Sequence, residues 1–363
     1  MKKCLFHLII IGLFLAMASV KRGDFFQVIS SHPHDLKELT PFIETTYKNG
    51  RLWVVSVKKS APKEIFKYLK PLTGGEKSYL HQPLRHKNLL ELENSEIKDI
   101  LQNVDKFAIK KDVEKLSSYR TRAAGTQDNR DALQLLQARF KEMGFEVKEV
   151  CHRSDACSFI ADKKGSQFSD KILMVMGHID SVGEDFAGAD DNASGTAVIL
   201  EMARLLSSYS NKKTIRFFIT NGEEQGLLGA TYYARILEKE NALKALSLVI
   251  NMDMVGYNSN GVVELETDAA YESLAQWFAG LAAKYTKLTS KITLGAWGSD
   301  HVPFLRRGVP TILTIENWDT KTPCYHQKCD RPETLNYDYA AEITKLNLSA
   351  VLERDQVNFL TEP

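Results

Sequence analysis

The sequence has almost no excess of charge of either sign. It contains 47 Lys and Arg residues against 46 Asp and Glu residues, a formal net charge of +1 over 363 residues. A balance this even gives no electrostatic reason to expect a nucleic-acid partner. With 44% hydrophobic and 26% charged residues, the composition excludes a disordered or collagen-like chain. At about 150 residues per domain, the length leaves room for two domains.

Several nucleotide-binding and hydrolase motifs are also missing. The sequence contains neither G-x-G-x-x-G nor a Walker-type glycine loop, which argues against a nucleotide-binding α/β protein. G-x-S-x-G is absent too, so we do not expect a serine hydrolase of the nucleophile-elbow type. Beyond the N-terminus, no apolar run is long enough to span a bilayer. We therefore expect no stable membrane insertion of the mature chain.

The long apolar run of the sequence lies at its N-terminus. Leu8–Leu15, with the sequence LIIIGLFL, follows two lysines and precedes the small residues Ala16 and Ala18. This layout predicts a cleaved secretory signal peptide over residues 1–18, and hence a secreted or periplasmic protein. The alternative is an uncleaved anchor, although the run is shorter than the roughly 20 apolar residues of a transmembrane helix.

Cysteine is scarce, and its placement agrees with export. Apart from Cys4, the four cysteines form two pairs that are close in sequence. Four cysteines allow three pairings, and we predict the disulfides Cys151–Cys157 and Cys324–Cys329, which an oxidising compartment permits. Free thiols are the alternative. A zinc site is disfavoured because neither pair has the C-x-x-C spacing that such sites prefer.

The chain is predicted to divide into a small α+β domain, residues 19–101, and a larger domain, residues 102–363. In the small domain, Leu52–Val57 is strand-like, and Ala61–Leu69 has helical spacing after a proline near its start. This domain contains no cluster of catalytic residue types. We therefore interpret it as a propeptide or cap.

In the larger domain, apolar strand-like runs alternate with amphipathic helices. This alternation predicts an α/β fold with a mixed, mainly parallel sheet sandwiched by helices. In such sheets, sites lie beyond the carboxyl ends of the strands. The predicted strands are Ile172–Met176, Ile215–Thr220, Leu246–Met254 and Pro310–Ile315, and the predicted helices are Asn129–Met143, Ser194–Tyr209, Tyr232–Leu237, Ala269–Tyr285 and Tyr339–Leu352.

Acidic residues and histidines follow the predicted strands. Carboxylates crowded at one sheet edge repel each other by several kcal/mol unless cations neutralise them. Two imidazoles with carboxylates match the nitrogen and oxygen ligands of zinc. Five ligands exceed the need of one tetrahedral ion and favour two ions that share a carboxylate. Six residues follow the strands in this way, one more than this ligand set needs: His178, Asp191, Glu223, Glu224, Asp253 and His326.

The segments around these residues form an ordered set of motifs. They are His178-x-Asp180-Ser181, Gly188–Gly195 (GADDNASG), Asn221–Ala230 (NGEEQGLLGA), Asp253-Met254, Ser299-Asp300-His301 and Tyr325-His326. Together they resemble the secreted leucyl aminopeptidase type of co-catalytic di-zinc peptidase (clan MH, family twenty-eight) over about Leu116–Leu352. The resemblance implies the zinc exopeptidase fold, two Zn²⁺ ions per chain, and cleavage of the N-terminal residue from peptides with a free N-terminus.

The same resemblance implies a ligand for each metal. His178 and Asp253 would hold one zinc ion, and Glu224 and His326 would hold the other. Asp191 would bridge the two ions.

The resemblance also implies catalytic and supporting roles. Glu223 would act as the general base on the metal-activated water, and Asp180 would fix the tautomer of His178. Tyr325 lies where some relatives place a hydroxyl that polarises the scissile carbonyl, although packing beside the loop is the alternative. Asp190 would not be a ligand.

Some residues and activities remain open at this point. Asp300 and His301 are predicted as a structural hydrogen-bond pair. Trp297 and Tyr257 are candidates for the wall of a substrate pocket, with a place in the core as the alternative. For the activity, the alternatives are a glutaminyl cyclase with one zinc ion, a dipeptidase or carboxypeptidase on the same scaffold, and a receptor-like homologue without catalysis.

Overall fold

The computed structural model describes residues 95–356 throughout, together with four strands in the first 94 residues. The chain divides into two compact units, Met1–His86 and Lys87–Pro363. Each unit contains its own β-sheet.

The sheet of the first unit has four antiparallel strands in the order β2-β3-β1-β4. These strands are β1 (Phe25–Ile29), β2 (Ile43–Asn49), β3 (Leu52–Val57) and β4 (Lys70–Pro71). β3 coincides with the strand predicted from the sequence. The predicted signal peptide and the helix predicted at Ala61–Leu69 lie outside the described residues.

The second unit alternates helices with the strands of a larger sheet. Its helices are α1 (Ser95–Leu101), α2 (Lys106–Ser117), α3 (Gln127–Glu142), α4 (Gly195–Ser207), α5 (Leu228–Lys239), α6 (Glu272–Tyr285), α7 (Val302–Leu305) and α8 (Tyr337–Gln356). Its strands are β5 (Glu146–Arg153), β6 (Ala156–Lys163), β7 (Phe168–His178), β8 (Lys213–Thr220), β9 (Leu246–Met252), β10 (Val262–Thr267), β11 (Thr289–Leu294) and β12 (Thr311–Glu316).

The eight strands form one mixed sheet in the order β11-β10-β12-β9-β7-β8-β6-β5. The four central strands β12, β9, β7 and β8 pair in parallel, so their carboxyl ends share one edge. β10 runs antiparallel to β12, and β6 runs antiparallel to β8. The predicted α/β fold class with a mixed, mainly parallel sheet is confirmed.

Alternate side chains of β7 show why helices cover both faces of the sheet. Leu173 and Val175 pack into a core cluster that also holds buried residues of α2, α3, α4 and α8. Met174 and Met176 point to the other face and pack with buried residues of α5. All four side chains are at most 1% exposed, and each such burial stabilises the fold by about 1.5–3 kcal/mol.

The ends of the helices agree with local signals in the sequence. The side chain of Thr126 caps α3 by accepting a hydrogen bond from the N–H of Asn129, at 3.2 Å. Gly144 follows the last turn of α3 with a φ of 86°, a conformation that favours glycine. Among the described helices, none combines the length and apolarity needed to cross a bilayer.

The predicted domain boundary and some elements differ from the structure. Ile97 and Leu101 of α1 are buried in the core of the second unit, so this unit begins before the predicted boundary at Leu101. The helix α2 was not predicted from the sequence, nor were the outer strands β5, β6, β10 and β11. β5 is an edge strand with mostly exposed, charged residues, and therefore lacks an apolar run.

Candidate metal centre

Four strand ends bring the predicted residues to one edge of the sheet. β7 ends with His178, the turn after β8 carries Glu223 and Glu224, Asp253 follows β9, and the loop after β12 carries His326. This is the edge at which α/β sheets of this topology place their sites.

Two groups of three side chains lie at this edge. His178 Nε2 is 3.2 Å from Asp253 Oδ1 and 3.3 Å from Asp191 Oδ1. His326 Nε2 is 3.2 Å from Asp191 Oδ2 and 3.1 Å from Glu224 Oε2. In each group, the potential ligand atoms lie within 4.8 Å of one another. Asp191 therefore belongs to both groups, and its two oxygens face different imidazoles.

The chemistry of these donors fits a pair of metal ions. Each group offers one imidazole nitrogen and carboxylate oxygens, a combination that zinc accepts. Glu224 Oε1 is buried and has no hydrogen-bond partner among the described residues, so a cation would satisfy an otherwise orphaned atom. Burial raises the pKa of Glu224 to about 7, and Asp191 adds to this effect. Burial alone would lower the pKa of His326, but hydrogen bonds to Asp191 and Glu224 raise it to about 10.

The side chain of Asp330 holds the main chain that carries the shared carboxylate of Asp191. The carboxylate of Asp330 accepts hydrogen bonds from the N–H groups of Asp190 and Asp191, at 2.7 and 3.1 Å. The side chain of Asp190 turns away from the two groups and accepts hydrogen bonds from the N–H groups of Gly256 and Tyr257. Asp190 is in neither group of potential ligands.

Asp180 contacts both His178 and the turn that carries the two glutamates. The closest atom to His178 Nδ1 is the backbone carbonyl oxygen of Asp180, at 3.0 Å, whereas its carboxylate Oδ1 lies at 3.7 Å. The carboxylate instead accepts hydrogen bonds from the N–H groups of Glu223 and Glu224, at 3.2 and 3.1 Å. Asp180 thus orients His178 mainly through its main chain and fixes the glutamate turn through its side chain.

Glu223 belongs to neither group of potential ligands. Burial raises the pKa of its carboxyl well above the usual range, His178 opposes this rise, and Asp253 adds to it. The main-chain N–H of Glu223 donates to Asp180 Oδ1, which lies 3.7 Å from His178 Nδ1, so Glu223 is beside the group that contains His178. A half-buried carboxyl next to a group of potential metal ligands is available for proton transfer.

Tyr325 packs directly on a potential ligand. Its ring stacks on the ring of His326 with a centroid distance of 3.9 Å, and Trp318 contacts it edge-on at 5.3 Å. Burial raises the pKa of Tyr325, followed by the negative charges of Asp191 and Asp253. Its hydroxyl therefore stays protonated at neutral pH and can donate a hydrogen bond.

The predicted pairing of Asp300 with His301 is wrong. Asp300 accepts a hydrogen bond from the hydroxyl of Thr220, whereas His301 Nε2 lies 3.3 Å from Glu266 Oε1. Asp300 and His301 directly precede the short helix α7, and their side chains point in different directions. Asp300 therefore contacts β8, and His301 contacts β10. Trp297 is 41% exposed and is therefore not a core aromatic.

Ser299 belongs to one of the sequence motifs, but its contact with Asp253 was not predicted from the sequence. Its hydroxyl donates to Asp253 Oδ2 at 2.7 Å and accepts from the side-chain amide of Asn251 at 2.8 Å. This chain of hydrogen bonds fixes the orientation of Asp253. A serine next to an aspartate is too common a pattern to reveal such a contact from the sequence.

Both predicted disulfides form in the structure. Cys151–Cys157 joins directly opposite residues of β5 and β6. Cys324–Cys329 closes a short loop that contains Tyr325 and His326. The loop that presents one imidazole is therefore covalently restrained.

The fold and the paired donor groups define an α/β protein with a metal centre at the carboxyl ends of its central strands. The sequence matches the model of peptidase family M28 over residues 158–351. The chain therefore belongs to peptidase family M28, whose members are hydrolases.

Relatives in this family carry related names. The chain is 26% identical over 284 residues to a probable leucine aminopeptidase of Trichophyton verrucosum, covering 72% of this chain and 76% of that protein. It is 36% identical over 190 residues to aminopeptidase YwaD of Bacillus subtilis, covering 50% of this chain and 41% of that protein. A probable zinc metalloprotease of Pyrenophora tritici-repentis is 30% identical over 233 residues, covering 56% of this chain and 53% of that protein. The chain thus spans about half or less of the length of the latter two.

Solved structures share the fold. The aminopeptidase LapA of Legionella pneumophila superposes with a TM-score of 0.70 at 18% identity, covering 92% of this chain and 98% of LapA. A zinc aminopeptidase of Bacillus subtilis superposes with a TM-score of 0.63 at 19% identity, covering 70% of this chain and 97% of that one. A glutaminyl cyclase of Porphyromonas gingivalis superposes with a TM-score of 0.60 at 21% identity, covering 69% of this chain and 99% of that one. One fold thus accompanies two different reactions.

Proposed function

We propose that this protein is an exported aminopeptidase that holds two zinc ions and removes the N-terminal residue of peptides. The observation that carries the proposal is the position of Asp191, whose two carboxylate oxygens lie 3.3 and 3.2 Å from the imidazoles of His178 and His326. A carboxylate shared in this way is what two neighbouring metal ions require. The names of the M28 relatives support the same activity.

His178, Asp253 and Asp191 would hold one ion, and His326, Glu224 and Asp191 would hold the other. Two such ions, when bound, lower the pKa of water towards neutrality and polarise the scissile carbonyl. The carboxylates of the site are buried or nearly so. Their negative charge favours a positively charged substrate amine, and therefore cleavage next to a free N-terminus.

Glu223 is proposed as the general base. Its carboxylate accepts a proton from the attacking water and returns it to the leaving amine. Asp180 supports this function because its carboxylate binds the N–H groups of Glu223 and Glu224 and so fixes the direction of both side chains. Tyr325, whose ring stacks on that of His326, is proposed to donate its hydroxyl hydrogen to the oxygen of the scissile carbonyl. Trp297 and Tyr257 remain candidates for the pocket wall.

Export is proposed from the N-terminal sequence and the two disulfides. Two lysines, an apolar run and small residues follow one another in the order typical of a signal peptide, and disulfides such as Cys151–Cys157 and Cys324–Cys329 persist in an oxidising compartment.

The proposed activity can be tested by metal analysis together with a panel of aminoacyl-arylamides. We expect two zinc ions per chain, hydrolysis of substrates with a free N-terminus, and no hydrolysis of the matched N-acetylated substrates. Removal of zinc with a chelator should abolish turnover, and zinc addition should restore it. Turnover that survives complete zinc removal would contradict the metal-dependent mechanism.

A glutaminyl cyclase is the second candidate because the Porphyromonas enzyme shares the fold. Peptides that begin with glutamine separate the two reactions. An aminopeptidase releases free glutamine, whereas a cyclase releases ammonia and leaves the peptide length unchanged. A single zinc ion per chain would favour the cyclase, and release of a C-terminal residue would indicate a carboxypeptidase instead.

The first unit is proposed to act as a propeptide or cap that delays activity. Removal of residues up to His86 should raise kcat/KM, because the second unit would then act without its inhibitor. The cut should not be made at Leu101, because Ile97 and Leu101 belong to the core of the second unit. Steady-state kinetics of the full and the trimmed chain test the proposal. A trimmed chain that folds but is no faster would contradict an inhibitory role and leave a role in folding.

A further inference from the structure

Among the described residues, Arg122 is one of the largest fully buried side chains, and it carries a charge that the proposed mechanism does not use. It is 0% exposed, although charged side chains are almost never fully buried without partners. Removing a guanidinium from water costs several kcal/mol unless its N–H groups are satisfied. The partners of its N–H groups therefore show which part of the chain the guanidinium holds.

The guanidinium binds backbone carbonyls and not a single carboxylate. Nε donates to the carbonyl of Ile179 at 2.9 Å, and Nη2 donates to that of Gly188 at 2.8 Å. Nη1 donates to the carbonyls of Ala187 and Leu116, at 2.5 and 2.9 Å. The main-chain N–H of Arg122 adds a 3.0 Å hydrogen bond to the hydroxyl of Ser181.

These contacts close the loop between two metal-binding residues. Ile179 follows His178 directly, and Gly188 precedes Asp191 by three residues. The planar guanidinium thus ties the beginning of the loop to its end, with donors in a fixed fork. Gly188 has a φ of 56°, and a Cβ there would lie 3.0 Å from Arg122 Nη2 and 2.5 Å from the carbonyl oxygen of Asp191. Glycine is therefore required for this close approach.

The buried charge faces the acidic site as a whole. Burial lowers the pKa of Arg122 to about 10, and the nearby carboxylates of Asp330, Asp180 and Asp191 oppose this change. The guanidinium is therefore charged at neutral pH. Its charge is balanced by the acidic centre without blocking any carboxylate oxygen that faces the two imidazoles.

We propose that Arg122 is a positioning residue that orders the loop from Ile179 to Gly188, so that His178 and Asp191 are held ready for metal before metal binds. This inference rests on the proposed metal centre. A preordered loop means that zinc does not have to supply the ordering free energy when it binds. The sequence gives no sign of this role because a buried arginine and an exposed one have the same local pattern.

Arg122→Lys tests the proposal because it keeps the charge but replaces the planar fork of donors, in which Nε, Nη1 and Nη2 each bind a carbonyl, by a single ammonium. We expect zinc affinity, measured by equilibrium competition with a chelator, to fall by about 10–100-fold, as for other residues that orient metal ligands. Lys163→Met is the matched control. Lys163 also donates to backbone carbonyls, those of Leu206 and Ser207 at 2.9 and 2.7 Å. However, it pairs with Ile215 near the amino end of β8, at the end of the strand opposite the site. Its replacement should lower thermal stability and leave zinc affinity unchanged.

Equal zinc affinity in wild type and Arg122→Lys would overturn the proposal, as would an equal loss in Lys163→Met. If Arg122→Lys does not fold, hydrogen exchange of the chelator-treated wild type decides. The N–H groups of Arg122 and Gly183, which donate to the hydroxyl and the carbonyl of Ser181 in the loop, should then stay protected, and rapid exchange would overturn the proposal. A wild-type protein that binds no zinc would overturn both this inference and the proposed function. Zinc binding without peptide hydrolysis would contradict the proposed function alone, and the affinity comparison would still decide the role of Arg122.

Discussion

Replacement of Glu223 by glutamine should lower kcat by about 10²–10⁴-fold, the usual contribution of a general base. Glutamine keeps the size of the side chain but removes the oxygen that accepts the proton. Glu223 is in neither group of potential ligands, so both zinc ions and the fold should be retained. KM should change little, because the loss falls on the transition state. Steady-state kinetics and zinc content of the purified variant provide the two measurements.

The control for this variant is Glu146→Gln, which makes the same chemical change at an exposed position on the edge strand β5. Its kcat should equal that of the wild type. A Glu223→Gln variant that retains substantial kcat would exclude Glu223 as the base. A variant that loses zinc would instead assign Glu223 to the ligands.

Replacement of the neighbouring Glu224 should act on metal binding instead of proton transfer. Glu224 Oε2 lies 3.1 Å from His326 Nε2, in the group that also contains Asp191. Glu224→Gln removes a charged donor from this group, so the zinc content should fall from two ions towards one. Activity should fall with it and return in part when zinc is added in excess. Zinc analysis after dialysis, followed by kinetics over a zinc titration, measures both effects.

Adjacent glutamates are useful controls for each other because they lie in the same turn and their main-chain N–H groups both donate to the carboxylate of Asp180. A general disturbance of the turn would affect zinc content equally in both variants. Identical zinc loss in Glu223→Gln and Glu224→Gln would therefore contradict the separate roles of base and ligand. Two nearly silent substitutions would show that neither residue belongs to the catalytic centre.

The sequence was sufficient to predict which polar residues meet, because parallel strands deliver their carboxyl ends to one edge. His178 and Asp253 needed no knowledge beyond that rule. His326 lies ten residues beyond the end of β12, and its place in the site could be predicted only from the motif. The partner of the Asp180 carboxylate could not be predicted, because hydrogen bonds to main-chain N–H groups leave no trace in residue types.

The outer strands were missed for a related reason. β10 carries Glu264 and Glu266, which interrupt the apolar pattern that marks a buried strand. Both are 1% exposed in the structure. Glu264 accepts a hydrogen bond from the hydroxyl of Thr293 at 2.7 Å, and Glu266 accepts one from the N–H of Trp297 at 2.8 Å. Partners so distant in sequence make burial of a charge possible, but no local pattern reveals them.

The disulfide-closed loop Cys324–Cys329 also has a mechanical consequence for the centre. It carries His326, and the next residue, Asp330, holds the main chain of Asp191. We therefore expect a displacement of this loop to move His326 and Asp191 in the same direction, so that the separation of this pair of donors changes less than the distance of either residue from the sheet.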